Sequence, residues 1–148
     1  MKTFLQPLQS LAEIEEIEKQ AKKNRGILEI SGCMESQKAH LMYGLSGLFP
    51  SHLILAEDEK AAKELYEDYR FYDKRVYYYP AKDLLFFQAD IHGNLLIRQR
   101  MQVIRALLER EDEITVVTSI DGCMDYLAPL EKIEKQLIHL RNVKVISR

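Results

Sequence analysis

Gly32, Gln37, Lys38 and Ala39 stand where a nucleotide-binding protein carries the loop pattern GxxxxGK[ST]. In a working loop of this kind, the second glycine lets backbone amides wrap a phosphate, the lysine contacts the outer phosphates and the hydroxyl binds Mg²⁺. Gln37 replaces that glycine and disfavours left-handed backbone conformations, and Ala39 offers no oxygen to a metal. The sequence therefore predicts a relic of a phosphate loop, with no nucleotide hydrolysis and no bound cofactor.

So partial a match also fits a simpler interpretation, in which Lys38 is an exposed residue on a first helical turn. Other candidates for chemistry are few. Cys33 and Cys123 have no CxxC spacing and no export signal precedes them, which indicates reduced thiols in the cytoplasm. The histidines, at positions 40, 52, 92 and 139, fail every short metal-ligand spacing. We predict no catalytic residue and no bound metal.

The composition is that of an ordinary globular protein. The 148 residues are 47% hydrophobic and 30% charged, which predicts a single domain, residues 1–148, with a real core. A formal net charge of -2 gives no broad field for a polyanion and argues against a whole-surface nucleic-acid binder, although a local basic patch stays open. No apolar run approaches the roughly 20 residues that cross a bilayer, so we expect no membrane span.

Helical and β-type patterns alternate along the chain. The expected strands are Ile27–Ser31, His52–Ala56, Arg75–Pro80 and Ile114–Thr118, and Val143–Ile146 could continue a sheet. The expected helices are an amphipathic one within residues 1–25 on Leu8, Leu11, Ile14 and Ile17, a second over Ser36–Leu48, a third capped by Asp58 and reaching Tyr72, and a long one from Asn94. We expect the long helix to bury Leu96, Ile97, Met101, Ile104, Leu107 and Leu108.

Three groups of side chains have both a structural and a binding interpretation. Tyr77–Tyr79 could stack on bases, but strands favour aromatic residues and no basic residue interleaves them, so we expect core and sheet-face roles. The loop over residues 81–93 holds Phe86 and Phe87, which we expect to anchor the core rather than dock a partner, and it holds Asp83, Asp90 and His92 without a nucleophile beside them. The long helix carries four arginines that we expect to form a solvated face: Arg98, Arg100, Arg105 and Arg110. The alternative is that these arginines contact phosphates or an acidic partner.

Strands that alternate with helices predict an α/β fold, a three-layer sandwich with a mostly parallel sheet within residues 27–146, like that of P-loop nucleoside triphosphatases. The relic loop would follow the first strand at its carboxyl end. No strand ends in the adjacent Asp-Glu pair that orients magnesium and the attacking water in those enzymes. Thr118-Ser119-Ile120-Asp121 comes nearest, and its aspartate lies too late.

Three blocks of sequence, Tyr79–Phe87, Arg98–Leu108 and Ile114–Gly122, resemble in order and spacing the first subdomain of bacterial transcription-repair coupling factors. The resemblance runs from about Leu11 to Leu140. That family begins with a region similar to the helicase-like core of the excision-repair protein UvrB (its domain 1a), in which the phosphate loop has decayed. UvrB itself is a poorer match, because its loop is an intact GxxxxGKT, from which this chain departs at Gln37 and Ala39.

The resemblance implies a non-catalytic amino-terminal fragment of a much longer ATP-driven DNA translocase, which displaces stalled RNA polymerase and recruits nucleotide-excision repair. ATP and magnesium would belong to a motor domain further along the chain. The implied partners are other domains of the same protein, together with UvrA, RNA polymerase and double-stranded DNA, mostly through regions outside this chain. The alternative is a stand-alone nucleotide-binding protein or NTPase-like protein with an atypical loop, which would need free amides and space at a helix start.

Overall fold

A computed structural model describes residues 5–23, 26–82, 90–109, 114–129 and 131–133, and for Gln9 and residues 90–94 it describes the backbone alone. Within these ranges the strands β1 (Ser51–Ala56), β2 (Val76–Tyr79) and β3 (Ile114–Ser119) form a parallel sheet in the order β1-β3-β2. The helices are α1 (Gln6–Gln9), α2 (Ala12–Lys23), α3 (Glu35–Leu45), α4 (Glu59–Tyr69), α5 (Asp90–Leu108) and α6 (Ile120–Met124), with a 3-10 turn over Ser46–Leu48. The predicted α/β class is confirmed, with a small open sheet.

Strand β3 lies at the centre of the sheet. Val116 is in register with Leu53 of β1 on one side and with Tyr77 of β2 on the other. All six residues of β3 are buried. The β-branched residues that predicted this strand suit its central place in the sheet. A strand with neighbours on both sides and helices on both faces has no face toward solvent, so it needs no polar side chains.

Alternate residues of the strands face two different helical layers. Val117 and Tyr78 pack with Ala62 and Tyr69 of α4, and α3 adds Met42 and Tyr43 to that layer. On the other face, Val116, Ile114, Tyr77 and Tyr79 pack against Val103 and Ala106 of α5. Because α5 lies over β2 and β3, the β1 side chains of that face, Leu53 and Leu55, are left 64% and 53% exposed.

The two crossovers share one hand. Helix α4 carries the chain from β1 past β3 to β2, and α5 brings it back from β2 to β3 on the opposite face. The direction across the sheet and the covering layer both reverse, so the sense of rotation is unchanged, as the rule for parallel connections requires. Asp58 caps α4 as predicted, since its Oδ1 accepts a hydrogen bond from the Ala61 amide at 2.7 Å. Helix α4 ends at Tyr69, three residues before the predicted Tyr72.

The prediction of a strand over Ile27–Ser31 is wrong. This segment has no regular structure and pairs with none of the strands that the structure describes. Ile27 is 99% exposed, and Leu28 and Ile30 are also exposed. A β-type sequence forms a strand only where a neighbouring backbone accepts its hydrogen bonds, and the local pattern carries no information about such a neighbour.

Two predicted helices differ from those observed. The first is interrupted: α1 ends at Gln9, and α2 begins at Ala12 and buries Ile14, while Leu11 is exposed. The last begins at Asp90 rather than Asn94, so Asp90 and His92 lie in a helix and not in a loop. Asp83, Phe86, Phe87, Arg110 and Val143–Ile146 lie outside the described residues.

The predicted buried face of α5 is also wrong in part. Ile104 is buried as expected, but Ile97 is 62% exposed, and Met101 and Leu107 are exposed too. The residues turned toward the sheet are instead Arg100, Val103 and Ala106. A small residue such as Ala106 lets the helix axis approach the strands, and the long Arg100 side chain reaches the end of the sheet from the same stripe. Among the residues described, none of the helices has the length and apolar character needed to cross a bilayer.

His52 in β1 has both ring nitrogens buried without a hydrogen-bond partner among the described residues. Its ring meets Phe49 edge-on, with 6.3 Å between the ring centroids. Burial lowers the pKa of His52 below its usual value of 6.5, because the imidazolium loses more hydration than the neutral ring does.

We predict that the free energy of unfolding contains a term from His52 that is complete above pH 6.5, the unfolded pKa, and declines as the pH falls below it. Below pH 6.5 the unfolded chain binds a proton at His52, whereas in the folded chain His52 stays neutral until a lower pH. Urea unfolding of the wild type and of His52→Phe between about pH 5 and pH 8 measures the term. Equal pH slopes in the two proteins would contradict it.

Candidate functional site

The segment predicted to be a relic phosphate loop, here called the relic loop, follows no strand among the described residues, so its predicted place at the carboxyl end of a first strand is wrong. It is also shorter than its sequence pattern suggests. Gly32 has a φ of 80°, the left-handed conformation that favours glycine, so the first glycine of the pattern keeps its backbone role. Helix α3 then begins at Glu35, which leaves only Cys33 and Met34 between Gly32 and the first helical turn. Residues that would have to form an open loop of amides around a phosphate are therefore part of a helix.

Gln37 closes the start of α3. Its backbone amide donates to the Met34 carbonyl at 2.9 Å, and its side-chain Oε1 accepts from the Met34 amide at 3.4 Å. These contacts engage amides that a bound phosphate would need at a helix start. The residue that replaces the second glycine thus stabilises the helix in the space where an anion would lie.

Lys38 is held by carboxylates. Its Nζ lies 2.5 Å from Oε1 of Glu35, one turn earlier on α3. The hydrogen bond that Lys38 donates to Glu35 raises the pKa of Lys38, and Glu57, which follows β1, adds a smaller contribution of the same sign. A phosphate that approached this ammonium would also approach the Glu35 and Glu57 carboxylates, which repel it.

Ala39 stands at the position of the metal-binding hydroxyl and is only 2% exposed. Its methyl group belongs to the protein interior. The structure therefore has Gly32, Gln37, Lys38 and Ala39 together at the start of α3, with Ala39 buried, Gln37 and Lys38 engaged by residues of the same helix start, and Gly32 exposed.

Glu59 is the centre of a set of contacts at the carboxyl edge of the sheet. As the first residue of α4, it accepts hydrogen bonds from the Tyr78 hydroxyl, from Ser119 Oγ at 2.6 Å and from the Ala81 amide at 3.2 Å. Burial raises the pKa of Tyr78, and its hydrogen bond to the Glu59 carboxylate raises it further. One carboxylate thus joins the ends of β2 and β3 to the start of α4.

Two hydroxyl residues, Thr118 and Ser119, end β3. Thr118 Oγ1 donates to the Tyr79 carbonyl at 2.7 Å. Ser119 donates to Glu59 and accepts from the Gly122 amide at 3.0 Å, so it also caps α6. A Cβ on Gly122 would lie 2.4 Å from Thr118 Oγ1, so the chain passes too close here for any side chain. Neither hydroxyl is directed at solvent for a metal or a water.

Arg100 completes this edge from the other helical layer. Its guanidinium donates to the Pro80 carbonyl at 2.7 Å, to Asp125 Oδ2 at 2.8 Å and to the Tyr79 hydroxyl at 2.6 Å, and it lies 4.1 Å from the Tyr79 ring centroid. We call Glu59, Tyr78, Ser119, Arg100 and Asp125 the carboxyl-edge network.

The expectation that Arg100 lies on a solvated flank is wrong, because the residue is 6% exposed. Arg98 and Arg105 are exposed as expected, and Arg105 Nε lies 2.9 Å from Oε1 of Glu109. Sequence reasoning missed Arg100 and Glu59 because each looked like one more charge on a helix. A weak signal existed for Glu59, since an acidic residue directly after an N-cap is favourably placed at the helix dipole.

The tyrosine run lies in the sheet, as predicted. Tyr78 is buried and stacks on Tyr66 with 5.4 Å between the ring centroids, and Tyr77 and Tyr79 pack against α5. The site as a whole offers a helix start at which Gln37 bonds to Met34 and Lys38 pairs with Glu35, and a sheet edge closed by internal hydrogen bonds. Comparison with models of protein families, with curated proteins and with solved structures finds no match to this chain.

We expect Glu59→Ala to lower the free energy of unfolding by about 2–4 kcal/mol, because it removes hydrogen bonds to a charged acceptor and leaves the buried Tyr78 hydroxyl with only the backbone carbonyl of residue 59, at 3.5 Å. Glu64→Ala on the same helix is the matched control, since the Glu64 carboxylate is exposed and 3.9 Å from Lys60 Nζ. Its loss should cost less than about 0.5 kcal/mol. Equal urea midpoints for the two variants would show that Glu59 has no special role.

Proposed function

We propose that this chain is a non-catalytic, UvrB-like structural module of a transcription-repair coupling factor. In this role the α/β sandwich, a relative of the P-loop nucleoside triphosphatase fold, is a rigid platform for neighbouring domains. Hydrolysis of ATP takes place in a motor domain elsewhere in the parent protein. The resemblance of the sequence blocks around Tyr79, Arg98 and Ile114 supports the family, and the state of the relic loop supports the absence of catalysis.

The observation that carries the proposal is the contact between Lys38 Nζ and Glu35 Oε1 at 2.5 Å, at a helix that begins three residues before the lysine. A catalytic lysine needs an open loop and a phosphate as its partner. Here the lysine has a carboxylate partner from its own first turn, and Gln37 occupies the position of the second glycine. Binding energy for a triphosphate would have to come from elsewhere.

The carboxyl-edge network is the second observation that supports a platform role. In open parallel sheets, ligands bind outside the carboxyl ends of the strands. In this chain Glu59, Ser119 and Arg100 fill that edge with hydrogen bonds between protein groups. Such a network makes the ends of β2 and β3 stiff, which suits a domain that must hold a constant shape while other domains move.

The resemblance extends the proposal to partners. UvrA, RNA polymerase and double-stranded DNA are the macromolecules on which the resembled family acts, together with the other domains of the same polypeptide. We assign none of these contacts to a residue of this chain. Function in the cytoplasm follows from the same proposal, since transcription and repair of bacterial DNA take place there.

We expect no saturable binding of ATP with Mg²⁺ up to about 1 mM in a calorimetric titration, because Lys38 is paired with Glu35, the Met34 and Gln37 amides are engaged, and Ala39 offers no hydroxyl at the metal position of the pattern. Lys38→Ala should give the same flat titration and an unchanged fold. Lys60→Ala removes an exposed lysine of α4 and serves as the control for charge alone. Micromolar binding that persists in Lys60→Ala and vanishes in Lys38→Ala would reject the proposal in favour of a nucleotide-binding protein.

The parent gene gives an independent test. We expect its reading frame to encode, beyond Arg148, a further UvrB-like half, a polymerase-binding module and then a motor with an intact GxxxxGKT loop and an Asp-Glu pair. Sequencing of the genomic locus decides the matter. A frame without a motor would overturn the family assignment, whatever the outcome of the nucleotide titration.

A further inference from the structure

One face of the sheet is covered only in part by the described residues. Leu53 of β1 is in register with Val116 of β3, which packs against α5, and Leu55 points the same way two residues later. Both leucines are more than half exposed, although their neighbours on this face are buried. Neighbouring helices pack about 8–10 Å apart, roughly two strand spacings, so this face has room for one more helix beside α5.

The flank of α5 that is turned toward β1 is apolar. Gln102 lies beside β2, and a helix turns by about 100° per residue, so Ile97, Met101 and Ile104 lie on the opposite flank. These three residues line a mainly apolar groove of about 640 Å³, to which Ile133 also contributes. Together with the leucines of β1, this flank of α5 forms an apolar corner between helix and sheet.

The chain that leaves α6 enters this groove. Residues 131–133 form a helical turn, in which the Pro129 carbonyl accepts hydrogen bonds from the amides of Lys132 and Ile133 at 2.9 and 3.3 Å. Ile133 lies in the groove wall beside α5. The described part of the chain therefore points an apolar side chain of a starting helix into the corner.

The sequence beyond Ile133 keeps this pattern. Leu137 and Leu140 follow Ile133 at intervals of four and three residues, and Lys135 falls on the opposite side of such a helix. The run Val143–Ile146 is β-branched at three of its four positions, which is typical of a strand. A helix with one apolar stripe and then a strand is the pattern of one more βαβ crossover.

The handedness of parallel connections determines which face this crossover uses. The chain returns from β2 to β3 over the face that α5 covers, so a right-handed connection that continues in that direction, past β1, stays on the same face. A connection past β2 would instead lie on the face of α4. Ile133 is in contact with the α5 layer, which favours the direction of β1.

We infer that residues 134–146 complete a third crossover, in which a helix covers Leu53 and Leu55 and Val143–Ile146 adds a parallel strand beside β1. The described residues give β1 no strand on that side. A helix over residues 131–141 is about 16 Å long, which is most of the roughly 20 Å of a six-residue strand such as β1. The apolar corner is then an internal interface and is closed to other domains. This inference is independent of the relic loop and of the proposed function.

NMR spectroscopy of the 148-residue protein tests the inference. We expect nuclear Overhauser contacts between the methyl groups of Leu55 and Leu137, and amide exchange in Val143–Ile146 that is about a hundredfold slower than in an unstructured peptide. Leu137→Ala should reduce this protection at least about tenfold, because it removes apolar contacts between the helix and the sheet. Lys135→Ala is the control on the opposite side of the same helix and should leave the protection unchanged.

Absence of a methyl contact between Leu55 and Leu137 in the wild type would overturn the inference, even if Leu137→Ala failed to fold. Equal protection of Val143–Ile146 in the Leu137→Ala and Lys135→Ala variants would also overturn it, because the strand would then not depend on the covering helix. Sedimentation tests for a different occupant: a dimer that Leu55→Lys dissociates would show that a second copy of the chain covers the corner.

Discussion

The Glu59 carboxylate holds three parts of the fold at one point. It receives the hydroxyls of Tyr78 and Ser119, which end neighbouring strands, and the amide of Ala81, where the chain leaves the sheet. A carboxylate at the first turn of a helix is also favourably placed with respect to the helix dipole. The alignment of α4 on the sheet, and with it the core around Ala62 and Tyr69, depends on this contact.

The same edge shows how the strand ends of this parallel sheet are satisfied by the protein's own side chains. A parallel sheet exposes the amides that follow its strands, and these need partners whether or not a phosphate is present. Here side chains supply partners for amides and carbonyls alike: Ser119 accepts from the Gly122 amide, Glu59 accepts from the Ala81 amide, and Arg100 donates to the Pro80 carbonyl.

Sequence reasoning predicted the elements whose causes are local. Residues adjacent in sequence are enough to predict β3 from its β-branched run, β1 from its apolar run and the cap of α4 from Asp58. It failed for Ile27–Ser31 and for the buried face of α5, because pairing and helix rotation depend on residues far away in the chain. The relic loop was found from four positions, but the earlier start of α3 and the Glu35 contact of Lys38 required coordinates.

For the same reason the carboxyl-edge network was invisible in the sequence. Glu59 and Arg100 are charged residues on amphipathic helices, a pattern that normally describes a solvated surface. Their burial follows from the arrangement of α4 and α5 on opposite faces of one sheet, which brings the ends of both helical layers to the same strand termini. Glu59 and Arg100 become hydrogen-bond partners of backbone groups only because of the way the helices are arranged on the sheet.

Helix α5 spans two of the three strands, and this leaves Leu53 and Leu55 in contact with water. Apolar surface that stays hydrated in the native state contributes nothing to the heat capacity change of unfolding. Within the part of the chain that the structure describes, Leu53 and Leu55 therefore contribute less to that heat capacity change than two leucines in the interior of the sheet would. The inferred third crossover supplies the missing part by covering both side chains.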